Sequence, residues 1–504
     1  MKTTLKPSPL FTDGAVLCRS KEIRVFGEAA DGVKVRAELE NRDGRMLGAG
    51  QATARDGRFL ILLPPQEAQT GCRLTLSAGE ESFTAQDVAV GEVYPAGGQS
   101  NMELELRNAD EGPAMIATRR DPLMRFFNVP RKAYACPEQE KALADTRWQA
   151  VDPETSGYNS AVAFFFADRI REKYPDLPVG IIGCYWGGTS ITCWMDEETL
   201  RFTAEGKRYL DEYAGKCGKK TMKAYLKEEE AFNRTLNEWN DKVAAFREAN
   251  PGAEWTDVNA ACGLCPWFPP AGPGSPYRPA GLEKTMLRMI APVSLTAVLY
   301  YQGEEDTWRT DWYDDLMIAL IRHWRKLFRD AEMPFLFVQL PMWIDFGAED
   351  TFRWPATRLA QAAARDAVRN TGMVCLLDQG EYGNIHPTRK RPVGERLAEM
   401  AEYMLRGEGE VSPRATGKYT EGNTVIVRLS GKVTTRDGKT PRLMEVAGED
   451  GKFYPACALA SGNTLRVWAP EVEEPVYVRY AWTDWSDRVN LFGINRLPVE
   501  PFWL

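Results

Sequence analysis

Gly97-Gly98-Gln99-Ser100-Asn101-Met102 is the stretch on which the reading of this chain turns. It follows an apolar run and leads into Glu103-Leu104-Glu105-Leu106, so a strand should end and a helix begin there, with Ser100 at the carboxyl edge of a sheet. Ligands of open α/β sheets bind outside the carboxyl ends of the strands, and free amides at a helix start can face a developing oxyanion. A serine hydroxyl is a weak nucleophile at neutral pH unless a neighbouring base takes its proton, and histidine suits that task. The chain has two histidines. His386, in Gly383-Asn384-Ile385-His386-Pro387, is the candidate base; His323, in a helical stretch with a basic exposed face, is expected to be structural or solvated. A glycine-rich turn ending in serine also makes an ordinary helix N-cap, so the rest of the chain has to decide.

Upstream, residues 1–88 alternate apolar and polar positions in short runs such as Ile23–Phe26, Lys34–Leu39, Arg58–Leu63 and Cys72–Leu76, with Asp-Gly turns between them. This reads as a β-sandwich-like module. From residue 89 strands alternate with helices: the run into Ser100, a helix at 160–173, strands at 179–183 and 294–301, a helix at 312–328, a strand at 334–339, a helix at 356–368 and a strand at 374–377. Such alternation implies βαβ units and a parallel sheet covered on both faces. A charged stretch with apolar residues at helical spacing, about 197–285, interrupts it as a helical and loop insertion. Its Pro-rich end carries Trp267 and Phe268 in an ordered loop placed near the site mouth, where packing is the simpler role for both. Residues 409–504 return to strand alternation as a second all-β module, leaving 89–408 as the α/β domain.

With 504 residues the chain exceeds what one hydrophobic core supports. A net charge of −8 excludes a nucleic-acid groove as its main feature. No window approaches the ~20 apolar residues that span a bilayer, and the first residues lack a signal-peptide core. The chain is therefore expected in the cytoplasm, or in the periplasm or medium if a signal has been removed. Its 10 cysteines are too dispersed for a disulfide framework. Cys262-Gly263-Leu264-Cys265 has the spacing of half a zinc site without a second half, so no metal is expected. The 15 Trp and 18 Tyr lean towards a surface that stacks on sugars.

Two further segments have the chemistry of a site. Tyr185-Trp186-Gly187-Gly188-Thr189-Ser190 follows a strand and could bring a backbone N–H to a ligand. Tyr300-Tyr301-Gln302-Gly303-Glu304-Glu305-Asp306 sets polar groups directly after an apolar strand, where binding loops form.

Taken in order, Gly98–Met102, Gly187-Gly188-Thr189 with Trp194, Tyr301–Glu304 and Ile385-His386-Pro387 resemble the bacterial sialate O-acetylesterase family of SGNH-type serine hydrolases. The opening Ser8–Leu17 and the closing Asn490-Leu491-Phe492 and Leu497–Phe502 resemble that family's ends. The resemblance implies a flavodoxin-like α/β/α hydrolase domain flanked by N- and C-terminal all-β modules, acting on an O-acetylated sugar without cofactor. It makes Ser100 the nucleophile and His386 the base, with the Ser100 and Gly188 N–H groups and a side-chain amide as oxyanion donors. Gln99, Trp186 and Asp306 are then candidates for substrate contact.

Two departures bear on the mechanism. Many relatives carry Asn where this chain has Asp306, and an ionised carboxylate cannot donate to an oxyanion, so Gln302 is the expected third donor. Relatives often carry Asp two residues before the histidine, where this chain has Asn384. Either Glu304, Asp378 or Glu381 supplies the orienting charge, Asn384 orients the ring alone, or the site is a dyad. The expected activity is removal of O-acetyl groups of the 9-O-acetyl type from sialic acid. The same chemistry on acetylated glycans such as xylan, and a catalytically inactive carbohydrate-binding protein, are the competing readings.

Overall fold

The computed structural model describes residues 5–267 and 269–504, so Phe268 and the first four residues lie outside the described residues. Its centre is a parallel sheet whose strands lie side by side in the order Asp121–Asn128, Val179–Tyr185, Glu81–Gly98, Val298–Tyr301, Phe335–Val338 and Thr371–Val374. Gln149–Val151 pairs antiparallel at one edge. These strands are apolar almost throughout because both faces are covered. Alternation then divides their side chains. Phe126, Ile181, Leu299 and Leu336 join one core with the helices Ala161–Lys173 and Arg391–Arg406, while Phe127, Ile182, Val298 and Phe335 join the other with the helix Tyr313–Leu327.

The strand Glu81–Gly98 runs unbroken through the boundary that sequence patterning sets at 88. Its first half pairs antiparallel with Gln69–Ala78, and its second half lies between Val179–Tyr185 and Val298–Tyr301. The N-terminal strands are therefore built onto the parallel sheet. Buried Glu92, halfway along this strand, accepts from Arg19 at 2.7 Å, from the Tyr94 hydroxyl and from Arg406, joining the N-terminal strands to the last helix of the α/β region.

At the other end, the strands from Ala415 onward enclose a core of Val427, Val446, Leu465 and Val478 that also takes in Met342, Cys375 and Leu377 from the ends of the parallel strands. Arg358, fully buried, donates to the carbonyls of Thr483 at 2.6 Å and Ala481 at 3.4 Å. Asp484 accepts from the Thr351 and Trp354 amides, so the C-terminal strands cap the helix Arg353–Ala367.

The interrupting segment forms the helices Ala204–Cys217, Met222–Ala249 and Trp255–Cys262. Only Tyr225 and Val243 of the long helix are buried. No described helix is long and apolar enough to cross a membrane.

Candidate active site

Ser100 begins a short helix, Ser100–Glu103, directly after the central strand. Gly98 makes this possible: its φ is +131°, and a Cβ there would lie 2.0 Å from the Tyr301 carbonyl oxygen, so only glycine fits the turn. The Gln99 amide donates to that same carbonyl at 3.0 Å, fixing the turn against the neighbouring strand. Across it, Ser100 Oγ lies 2.8 Å from His386 Nε2. The nucleophile and base expected from sequence are thus brought into hydrogen-bond contact although 286 residues separate them.

The loop after Val179–Tyr185 packs directly on Ser100. A Cβ on Gly187 would sit 3.4 Å from the Ser100 Cβ, and the Gly187 amide is held by the Glu103 carboxylate. Gly188 follows with φ +70°. Among the described residues, neither the Ser100 nor the Gly188 amide has a protein acceptor. Two unpaired donors beside a serine bonded to an imidazole are what an oxyanion site requires. The Pro-rich end of the interrupting segment forms the wall here. A Cβ on Gly188 would meet the Trp267 ring at 2.3 Å, and Trp267 stands edge-on to Tyr277 at 5.6 Å. Trp186 keeps part of its surface open on this side.

The third segment has another role than expected. Gln302 Nε2 donates to Asp306 Oδ2 at 2.6 Å and lies 3.2 Å from both the Thr189 carbonyl and Gln99 Oε1. With both amide hydrogens committed, Gln302 has none left for an oxyanion, which corrects the expectation of a third donor. Asp306 is fully buried and accepts from Gln302, Ser190 Oγ, the Ile191 amide and the Tyr209 hydroxyl. Burial raises its pKa, against the lowering effect of these donors. Gln99 is buried as well, its Oε1 accepting from Gln302 and from the Gly303 and Glu305 amides. Asp306 and Gln99 are therefore braces that lock the three loops together, a correction to their reading as substrate contacts.

None of the four candidates for an orienting acid bonds the His386 ring. Asn384 Oδ1 accepts from the His386 backbone amide at 3.0 Å, and its Nδ2 donates to Glu381 at 2.7 Å. Glu381 also accepts from the Thr388 amide, so this pair shapes the loop rather than the imidazole. Asp378 is held by both nitrogens of the Arg396 fork. Glu304 accepts from Asn101 Nδ2, and its other oxygen is buried without a partner. Among the described residues the geometry is a Ser100–His386 pair without a third group on Nδ1.

Sequence patterning passed over the residues that hold the pair in place. Asn101 Nδ2 also donates to the Ile385 carbonyl at 2.9 Å, and Asn101 Oδ1 accepts from Lys390, which is fully buried over the Tyr301 ring. Burial pushes the Lys390 ammonium down to about 7, against the pull of Glu304 and Glu381. The protein crowding His386, and then the Lys390 charge, hold the imidazole below its usual range even though the residue has an open edge. It is therefore neutral at pH 7, as a base must be. The only sequence signals for Asn101 and Lys390 were their places beside Ser100 and after His386.

His323 is buried rather than on an exposed face, 3.1 Å from Thr199 Oγ1 and 3.2 Å from Glu283 Oε1. Arg288 reaches both Glu283 and Asp196 beside it.

Comparison with known proteins sets the chain beside carbohydrate esterases. Residues 271–402, which include the Gln302 loop and His386, match the protein-family model described as "Carbohydrate esterase, sialic acid-specific acetylesterase". A carbohydrate acetylesterase from Xanthomonas citri has the same fold, with TM-score 0.77 and 27% identity over 100% of this chain and 99% of that one. The protein is thus a carbohydrate esterase on a mixed α/β scaffold. Sialate O-acetylesterases align along most of its length: that of Mus musculus is 24% identical over 88% of this chain and 83% of its own, and that of Homo sapiens 23% identical over 95% and 88%. Over most of its length this chain is thus similar to the sialate O-acetylesterases.

Proposed function

We propose that the protein removes O-acetyl groups from sialic acid, of the 9-O-acetyl type, by an acyl-enzyme mechanism with Ser100 as nucleophile. The observation that carries this is the 2.8 Å contact between Ser100 Oγ and His386 Nε2 beside the unpaired Ser100 and Gly188 amides. His386 Nε2 takes the hydroxyl proton as Oγ attacks the acetyl carbonyl, and the two amides donate hydrogen bonds to the carbonyl oxygen as its negative charge develops. Collapse of the tetrahedral intermediate expels the sugar oxygen, which leaves with the proton from His386. Water, deprotonated by the same imidazole, then attacks the acetyl-serine and releases acetate. The names of the aligned relatives support sialic acid as the sugar.

The architecture we propose is an SGNH-type, flavodoxin-like hydrolase domain over about 89–408 between two β modules. Its support is the strand order: counting from Glu81–Gly98 and leaving out Asp121–Asn128, the strands lie second, first, third, fourth, fifth.

The test is acetate release from 9-O-acetylated sialic acid and from acetylated xylo-oligosaccharide, with wild type and Ser100→Ala. Release from the sialic acid ester that vanishes in the variant, with an acetyl group trapped on the Ser100 peptide by rapid acid quench, is expected. Release that survives Ser100→Ala would end the acyl-enzyme reading, and faster release from the xylan fragment would change the sugar.

A further inference from the structure

A cleft of about 760 Å³ opens between the C-terminal strands and the segment that precedes the helix Arg353–Ala367. That volume lies within the range of ligand sites, roughly 300–1,000 Å³. Its walls join aromatic rings to polar side chains: Trp468, Trp482 and Trp485 line it together with Thr440 and Ser486. All three tryptophans keep part of their surface open. Flat rings interleaved with hydroxyls suit a pyranose, whose C–H faces stack while its hydroxyls seek hydrogen bonds. The rest of the lining mixes Leu443, Met444 and Leu459 with Arg442, Glu445 and Arg488, so the cleft offers apolar surface and hydrogen-bonding groups together.

The cleft is also joined to the active site. Trp485 packs against Tyr382 at 5.8 Å between ring centroids, and Tyr382 meets Phe346 at 5.1 Å. Tyr382 lies on the same loop as His386 and is 46% exposed, so an open aromatic ridge runs from the cleft to the catalytic loop. Asp350 accepts from Thr483 Oγ1 and from the Asp484 amide, which fixes the tryptophan-bearing turn to the α/β region.

We propose that this cleft is an oligosaccharide-binding groove that holds the inner sugars of the glycan whose acetylated residue reaches Ser100. The proposal rests on the esterase reading above and extends it from a monosaccharide ester to a chain. It makes the C-terminal β module part of substrate selection, and acetyl esters on longer glycans better substrates than the free sugar.

The experiment uses the full chain and 3′-sialyllactose as the probe. Cys457 lines the cleft and is exposed. Sialyllactose should slow alkylation of Cys457 by N-ethylmaleimide, read by peptide mass, in the wild type and not in Trp482→Ala. Trp482→Ala and Trp468→Ala should each weaken sialyllactose binding in calorimetry by about tenfold, the loss of one stacked ring. Acetate release from 4-nitrophenyl acetate should stay within about twofold, because an ester that carries no glycan does not use the groove. Binding of sialyllactose without protection of Cys457, or with unchanged affinity in both variants, would overturn the groove. A folded wild type that releases acetate from no ester would instead sink the esterase reading, and the cysteine protection would still report on the groove.

Discussion

Asn101, the residue after Ser100, donates to the carbonyl of Ile385, the residue before His386, at 2.9 Å. One side chain thus ties the turn that presents the serine to the loop that presents the histidine. Glu304 and Lys390 fix its orientation from opposite ends of the amide. Where other sites place a carboxylate on the imidazole, this one braces the backbone beside it.

Asn101→Ala should therefore loosen the histidine loop without removing a reacting group. Losing a buried hydrogen bond costs about 1–3 kcal/mol, so kcat on 4-nitrophenyl acetate should fall by about 10- to 100-fold, with KM changed much less. Steady-state kinetics on a variant with native circular dichroism checks this; an unchanged kcat would show that the brace is irrelevant to catalysis.

The acid limb of the pH profile should lie below the ordinary histidine value of about 6.5. Activity needs neutral imidazole, and crowding and then the Lys390 charge disfavour the protonated form, so kcat/KM should hold steady from pH 7 downward and fall only through the lowered value. Lys390→Met removes the neighbouring ammonium and should move the limb to higher pH. The same shift makes the folded state resist a proton that the unfolded chain accepts below about 6.5, so His386 contributes a loss of stability as pH falls. A limb at or above 6.5 in the wild type would contradict the assignment.

Gln302→Ala separates a brace from an oxyanion donor. As a brace it leaves Asp306 short of one of its donors, so Tm should drop, reflecting about 1–3 kcal/mol, while kcat falls less than about tenfold. A loss of about 10² to 10³ in kcat at unchanged Tm is the donor's signature instead.

Glu92→Ala should be among the most damaging substitutions away from the site. It leaves Arg19 and partly buried Arg406 without their shared carboxylate, and breaking such a pair costs about 3–5 kcal/mol. Urea unfolding followed by tryptophan fluorescence should show the midpoint fall; a shift under about 1 kcal/mol would mean that solvent reaches this cluster in the folded protein.

The strand and helix alternation of the α/β region was legible because a sheet covered on both faces must be apolar throughout its strands, and Phe126–Phe127, Ile181–Ile182 and Val298–Leu299 carry that mark. Ser100 was legible because glycines before it and a helix start after it form a local turn, and His386 because histidine is so rare in the chain. The helices of the interrupting segment could be read from apolar spacing, whereas the path of its Pro-rich end back to Gly188 could not, since no local pattern records what a loop folds against.

What the sequence by itself determined is the set of local structures and the chemical identity of the serine and histidine, since these depend on near neighbours and on side-chain type. Only the tertiary structure decided the roles of Gln302, Asp306, Asn384, Asn101 and Lys390. Whether a polar group donates to a ligand, braces a loop or sits buried with a displaced pKa depends on which partners lie within about 3 Å of it, and many of those partners, such as Glu304 and Lys390 for Asn101, come from loops far apart along the chain.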